Sequence, residues 1–67
     1  MATLTVNGAQ QEVPGGTTLA ALLQQMQLSP EHVVAAVNGE IIAAGDTATR
    51  MLQDGDQLDL MNFVGGG

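Results

Sequence analysis

The sequence predicts an α+β fold, a mixed sheet of four to five short strands packed on one α-helix. Three observations carry this expectation. Two Asn-Gly pairs, Asn7-Gly8 and Asn38-Gly39, each separate short segments of strand-forming character; both residues accept φ > 0, which makes Asn-Gly the strongest short reversal signal. Only residues 19–26 carry a helical period. A last alternating segment runs over residues 57–63. The chain has 67 residues, material for one domain, and at that size only about 60 % of the unfolded surface can be buried. The core must therefore be shared between one helix and one sheet face.

Residues 3–6, Thr-Leu-Thr-Val, alternate polar and apolar, a half-buried strand with Leu4 and Val6 inward. After Asn7-Gly8 a return strand is expected over residues 10–13, closed by Pro14-Gly15-Gly16, which cannot continue a ladder. Thr17 or Thr18 caps a helix running to about Gln27. Its Leu19, Leu22, Leu23 and Met26 fall at i, i+3, i+4 and i+7, one apolar stripe with Gln24, Gln25 and Gln27 mostly off it. No second helix is expected to cover the sheet, so the stripe reads as core. Ser29-Pro30 ends the segment. Residues 33–37, Val-Val-Ala-Ala-Val, read as a strand buried in the middle of the sheet. Ile41 and Ile42 are expected to form a short return strand, residues 48–52 one helical turn, and Asp54-Gly55-Asp56 a tight turn into the final strand. In that strand Leu58 and Leu60 share one side, with Asp59, Met61 and Phe63 on the other. If the leucines face the helix, Met61 and Phe63 form an apolar patch on the uncovered face.

Composition removes several functions. There is no Cys, hence no disulfide, thiolate metal site or thiol nucleophile. Formal net charge is −6, with Arg50 the single Lys or Arg, which argues against nucleic-acid binding, since phosphate contacts need Lys and Arg. The acidity favours a partner with a basic surface. No apolar run reaches bilayer-spanning length and the first residues lack a signal-peptide pattern, so a cytoplasmic, membrane-free protein is expected. His32, without partner ligands, reads as a surface residue. Asp54-Gly55-Asp56 lacks the further ligands of a Ca²⁺ loop. Arg50 could pair with Asp46 or Asp54, each four residues away.

The chain closes on Gly65-Gly66-Gly67. Residues 1–64 read as the folded body and 65–67 as a flexible tail. Glycines have the most backbone freedom to lose and nothing to pack, so they serve stability poorly and serve reach well: three extended residues span about 10 Å. The carboxylate at Gly67 is ionised at neutral pH and, as an anion, is a weak electrophile. Chemistry there requires activation by another protein, such as formation of an acyl-adenylate.

Taken in order, Gly16-Thr17-Thr18-Leu19 with Leu22-Leu23, then Ala36-Val37-Asn38-Gly39-Glu40-Ile41-Ile42, Asp54-Gly55-Asp56-Gln57-Leu58, and the terminal Gly66-Gly67 resemble the ThiS sulfur-carrier family, of the ubiquitin-like β-grasp fold. The resemblance covers essentially the whole chain. It implies a carrier that is not itself an enzyme and binds no cofactor. An E1-like, ThiF-type enzyme using ATP and Mg²⁺ would adenylate the carboxylate of Gly67. A sulfurtransferase or cysteine desulfurase relay would convert it to a thiocarboxylate. That group would deliver sulfur to a ThiG-type thiazole synthase for the thiamin thiazole ring. Gly66 and Gly67 would be bare so as to pass a narrow channel, while Gly65 departs from the family's final pair. Met61 and Phe63, with Asp54, Asp56 and Asp59, are the expected docking residues. Two alternatives share the fold: the small subunit of molybdopterin synthase, and a sulfur donor for cysteine, homocysteine or other sulfur metabolites.

Overall fold

The structure is a computed structural model and describes residues 1–62. Strands β1 (Ala2–Val6), β2 (Ala9–Val13), β3 (Val33–Val37), β4 (Glu40–Ile42) and β5 (Gln57–Asn62) form one sheet in the order β2-β1-β5-β3-β4. β1 and β5 run parallel, and every other neighbouring pair is antiparallel. Helix α1 (Leu19–Gln25) connects β2 to β3. This is the one-helix mixed sheet that the β-grasp resemblance implied, with the full five strands.

Both Asn-Gly pairs turn the chain as their chemistry predicts. Asn7 and Gly8 have φ of 50° and 86°, Asn38 and Gly39 of 53° and 85°. Positive φ at both central positions is the type I′ geometry, whose twist matches that of the strands it joins. Between the hairpins, Thr18 caps α1: its Oγ1 accepts a hydrogen bond from the Ala21 N–H at 3.1 Å. The helix stops two residues short of the expected end. Gln27 adopts φ 61°, and the N–H groups of Gln27 and Leu28 donate to the carbonyls of Gln24 and Leu23 at 3.0 and 2.8 Å. That pair of bonds is a Schellman stop. A 3₁₀ turn, Pro30–His32, then leads into β3 with His32 exposed.

Three expectations need correction. The helical turn expected over residues 48–52 is instead a 3₁₀ turn at Ala44–Asp46, followed by a bridge from Met51 to Thr18. Those turns set Arg50 beside β4, so its guanidinium meets Glu40 at 3.4 Å rather than Asp46 or Asp54. And β3 is not the middle strand; β5 is. Val33, Ala35 and Val37 are buried, whereas Val34 and Ala36 are only half-buried. The physical reason is coverage. The described chain offers one helix, and Leu19, Leu22 and Leu23 of that helix join Leu4, Val6, Val13, Val37, Leu58 and Leu60 in a single core on one sheet face. Alternate side chains of an unbroken apolar strand must then point to the open face.

Candidate functional site

The proposed chemistry lies at the C-terminus, and Phe63, Val64, Gly65, Gly66 and Gly67 lie outside the described residues, as does the boundary drawn after residue 64. What the structure does define is the strand that delivers the chain to that point and the surface around it. β5 is held on one side by β3 along its full length, in register from Leu58 opposite Val37 to Asn62 opposite Val33. On its other side β1 pairs with it only at Thr5–Gln57 and Val6–Leu58, because the chain turns away at Asn7-Gly8. The Asn7 side chain continues what β1 leaves off. Its Oδ1 accepts from the Leu60 N–H at 2.8 Å and its Nδ2 donates to the Leu60 carbonyl at 3.2 Å.

Leu58 and Leu60 face the helix, and Met61 points outward, 66 % exposed, as the alternation predicted. Met61 does not stand alone on the open face. Val34 lies directly opposite it on β3; Ala36 lies opposite Asp59 and, on its other side, opposite Ile41, which is 71 % exposed. Val34, Ala36 and Ile41 thus extend the patch, a point the sequence reading missed. The signal was present in the parity of residues 33–37, once a single helix is taken to leave one face bare.

The acidic positions separate. Asp59 is exposed on the open face beside Met61. Asp54 and Asp56 lie before β5, at the opposite end of the strand from residue 62, a strand length of about 17 Å away at roughly 3.4 Å per residue. Their carboxylates are also occupied. Asp54 Oδ1 accepts from the Thr3 N–H at 2.8 Å; Asp56 accepts from the Gln53 N–H at 2.8 Å and from Asn38 Nδ2 at 3.0 Å. They close the turn around Gly55, whose φ is 90°. A hollow of about 280 Å³ beside β4 is lined by Glu40, Asp46, Thr49 and Arg50 among others, with the Arg50 guanidinium on the Glu40 carboxylate at 3.4 Å. Among the described residues no cluster of His, Asp or Glu could hold a metal ion, and no helix is long and apolar enough to cross a membrane.

Comparison with known proteins bears on the same stretch. The model of the ThiS family matches residues 4–67. The chain is 34 % identical over 62 residues to a thiazole synthase of Magnetococcus marinus, covering 92 % of this chain and 19 % of that protein. It is 31 % identical over 64 residues to a thiazole synthase of Paramagnetospirillum magneticum, covering 96 % of this chain and 20 % of that protein. The chain therefore spans about a fifth of the length of the curated relatives it matches. Among solved structures, the crystal structure of the thiamine biosynthesis protein ThiS from Geobacter metallireducens superposes with a TM-score of 0.81 at 29 % identity, covering 97 % of this chain and 99 % of that one. A solution structure of a thiamine biosynthesis protein from the same organism gives 0.77 at 31 % identity, covering 97 % and 87 %.

Proposed function

The chain belongs to the ThiS family, and on that premise we propose that it is a cytoplasmic sulfur carrier for thiamine biosynthesis, a substrate of enzymes rather than an enzyme. The observation that carries this reading is the family match running through residue 67, where the chemistry would occur. The thiazole synthases among its relatives favour the thiazole branch over the molybdopterin and amino-acid alternatives.

In this reading the Gly67 carboxylate attacks the α-phosphorus of ATP in an E1-like, ThiF-type enzyme, with Mg²⁺ on the phosphates. Pyrophosphate leaves, and the carbonyl carbon now bears AMP as a leaving group. A persulfide sulfur of a sulfurtransferase or cysteine desulfurase relay displaces AMP to give an acyl disulfide. A second thiol of the relay then attacks its S–S bond, leaving a thiocarboxylate on Gly67 and a disulfide on the relay. The thiazole synthase takes its sulfur from that group. None of these steps asks for a thiol on the carrier, consistent with a chain that has no Cys.

The body contributes binding. Ordering Gly65, Gly66 and Gly67 in a channel costs on the order of 3 to 6 kcal/mol at about 1 to 2 per residue. Full burial of a large aliphatic side chain contributes about 1.5 to 3 kcal/mol. Covering Met61 and Ile41, both largely exposed, is therefore of the size needed to offset the tail. We assign docking to Met61, Ile41 and Val34 with Asp59 at the rim, and keep Phe63 as a docking residue on the sequence alone. Asp54 and Asp56 are left out, because internal donors hold them at the far end of the strand.

The test is intact-mass measurement after incubation with ATP, Mg²⁺, the cognate ThiF-type enzyme and a sulfur source. The expected product has one oxygen exchanged for sulfur, localised to Gly67. Deleting Gly67, or adding a residue after it, should abolish the product while the circular dichroism spectrum stays unchanged. A chain extended beyond Gly67 that still acquires sulfur would overturn the assignment.

A further inference from the structure

We propose that Asn7 is a positioning residue for the C-terminal chemistry: its carboxamide is the last rung of the β1–β5 ladder and sets the direction in which the chain leaves the sheet. This rests on the carrier reading above. β5 runs four residues past the point where β1 ends, from Leu58 opposite Val6 to Asn62. Beyond Leu58 the backbone groups of β5 that point toward β1 meet no strand. At Leu60 the Asn7 amide takes that place and satisfies both the N–H, at 2.8 Å, and the carbonyl, at 3.2 Å.

Two demands meet at position 7, and together they select Asn. The type I′ turn needs φ > 0, here 50°, which Gly, Asn and Asp tolerate best. Leu60 needs a donor and an acceptor side by side, which a carboxamide supplies. Gly would satisfy the turn alone. Asp would satisfy the turn and the Leu60 N–H, but would set a carboxylate oxygen against the Leu60 carbonyl. Leu60 is seven residues before Gly67. At full extension in a partner's channel that distance is about 24 Å; a fully extended tail has no slack, so a shift of the β5 backbone relative to the docked body is taken up at the terminal carboxylate. Misplacement of about 1 Å is already enough to slow a reaction that depends on alignment.

The second turn provides the control. Asn38 holds β5 at its other end, Oδ1 accepting from the Gln57 N–H at 3.0 Å while Nδ2 donates to the Asp56 carboxylate at 3.0 Å, a position from which the tail is not reached. The experiment compares wild type, Asn7→Asp, Asn7→Gly and Asn38→Gly by amide hydrogen exchange and by steady-state ATP–pyrophosphate exchange with the cognate adenylating enzyme, well below the unfolding temperature. For Asn7→Gly, exchange at Leu60 should accelerate about tenfold or more, whereas Asn7→Asp keeps an acceptor for that N–H and loses only the bond to the carbonyl. For both Asn7 variants kcat/KM should fall about tenfold, with the loss in kcat. Asn38→Gly should accelerate exchange at Gln57 and leave kcat/KM within about twofold. Slow exchange at Leu60 in Asn7→Gly would overturn the clamp itself. Fast exchange with unaltered kcat/KM, or an equal loss in Asn38→Gly, would overturn the positioning role. A wild-type chain that its cognate enzyme does not activate would instead remove the carrier reading, a result separable from the exchange data.

Discussion

Among the described residues three that are not glycine sit at φ > 0, and they do so for different returns. Asn7 and Asn38 combine a turn conformation with a clamp on β5. Gln27 has no such second role: it occupies the left-handed position of the Schellman stop, where only backbone bonds are made. A left-handed conformation costs an L-residue roughly 1 to 2 kcal/mol, and Gly escapes it. Part of that gain is lost because Gly has more freedom in the unfolded chain. Gln27→Gly should therefore stabilise the domain by about 0.5 to 1 kcal/mol, read as a higher urea midpoint at unchanged slope. Asn7→Gly relieves the same kind of strain but gives up two hydrogen bonds, so it should show no such gain. If both substitutions stabilise equally, the Asn7 amide contributes nothing to the fold.

The elements were legible in the sequence to very different degrees. Strands β1, β2, β3 and β4 lie within one residue of their expected spans, because Asn-Gly fixes a hairpin from two residues alone. The end of α1 was not legible, since its stop uses Gln where Gly is the usual marker. The openness of half of β3 was hidden by a run of five small apolar residues that carries no contrast between faces. The proposed C-terminal chemistry rests on a pattern of residues alone, and the described structure ends at the strand that leads to it. The helix itself is seven residues long, too short to persist without help from outside. That help is concentrated at its first turn. Thr18 supplies the cap and bridges to Met51, and the Leu19 N–H donates to the Arg50 carbonyl at 2.8 Å. Thr18→Ala should cost about 1 kcal/mol, which in a domain of this size lowers the melting temperature by about 4 to 8 °C. Thr17, whose hydroxyl only donates to the Pro14 carbonyl, is the comparison. A Thr17→Ala loss as large as that of Thr18→Ala would mean that the cap has been assigned to the wrong threonine.

At the scale of the whole molecule, the described residues put one helix on a five-stranded sheet and leave its other face bare, and a net charge of −6 leaves a field around it. The two features act on different parts of an association. Charges at a rim raise the rate of encounter with a basic partner and lose that effect as salt screens them. Apolar contacts act after encounter, on the rate of departure. The open face carries both: Met61 and Ile41 as exposed apolar groups, and Asp59 across Ala36 from Ile41. Stopped-flow association with the adenylating enzyme should therefore slow as NaCl rises. Asp59→Asn should lower the association rate severalfold and flatten that salt dependence. Met61→Ala should leave the salt dependence alone and raise the dissociation rate. Because Met61 packs on nothing in the core, its variant should melt with the wild type, which separates lost docking from lost folding. A Met61→Ala chain that melts normally and dissociates at the wild-type rate would remove the open face from the interface and leave the tail to bind without help from the sheet.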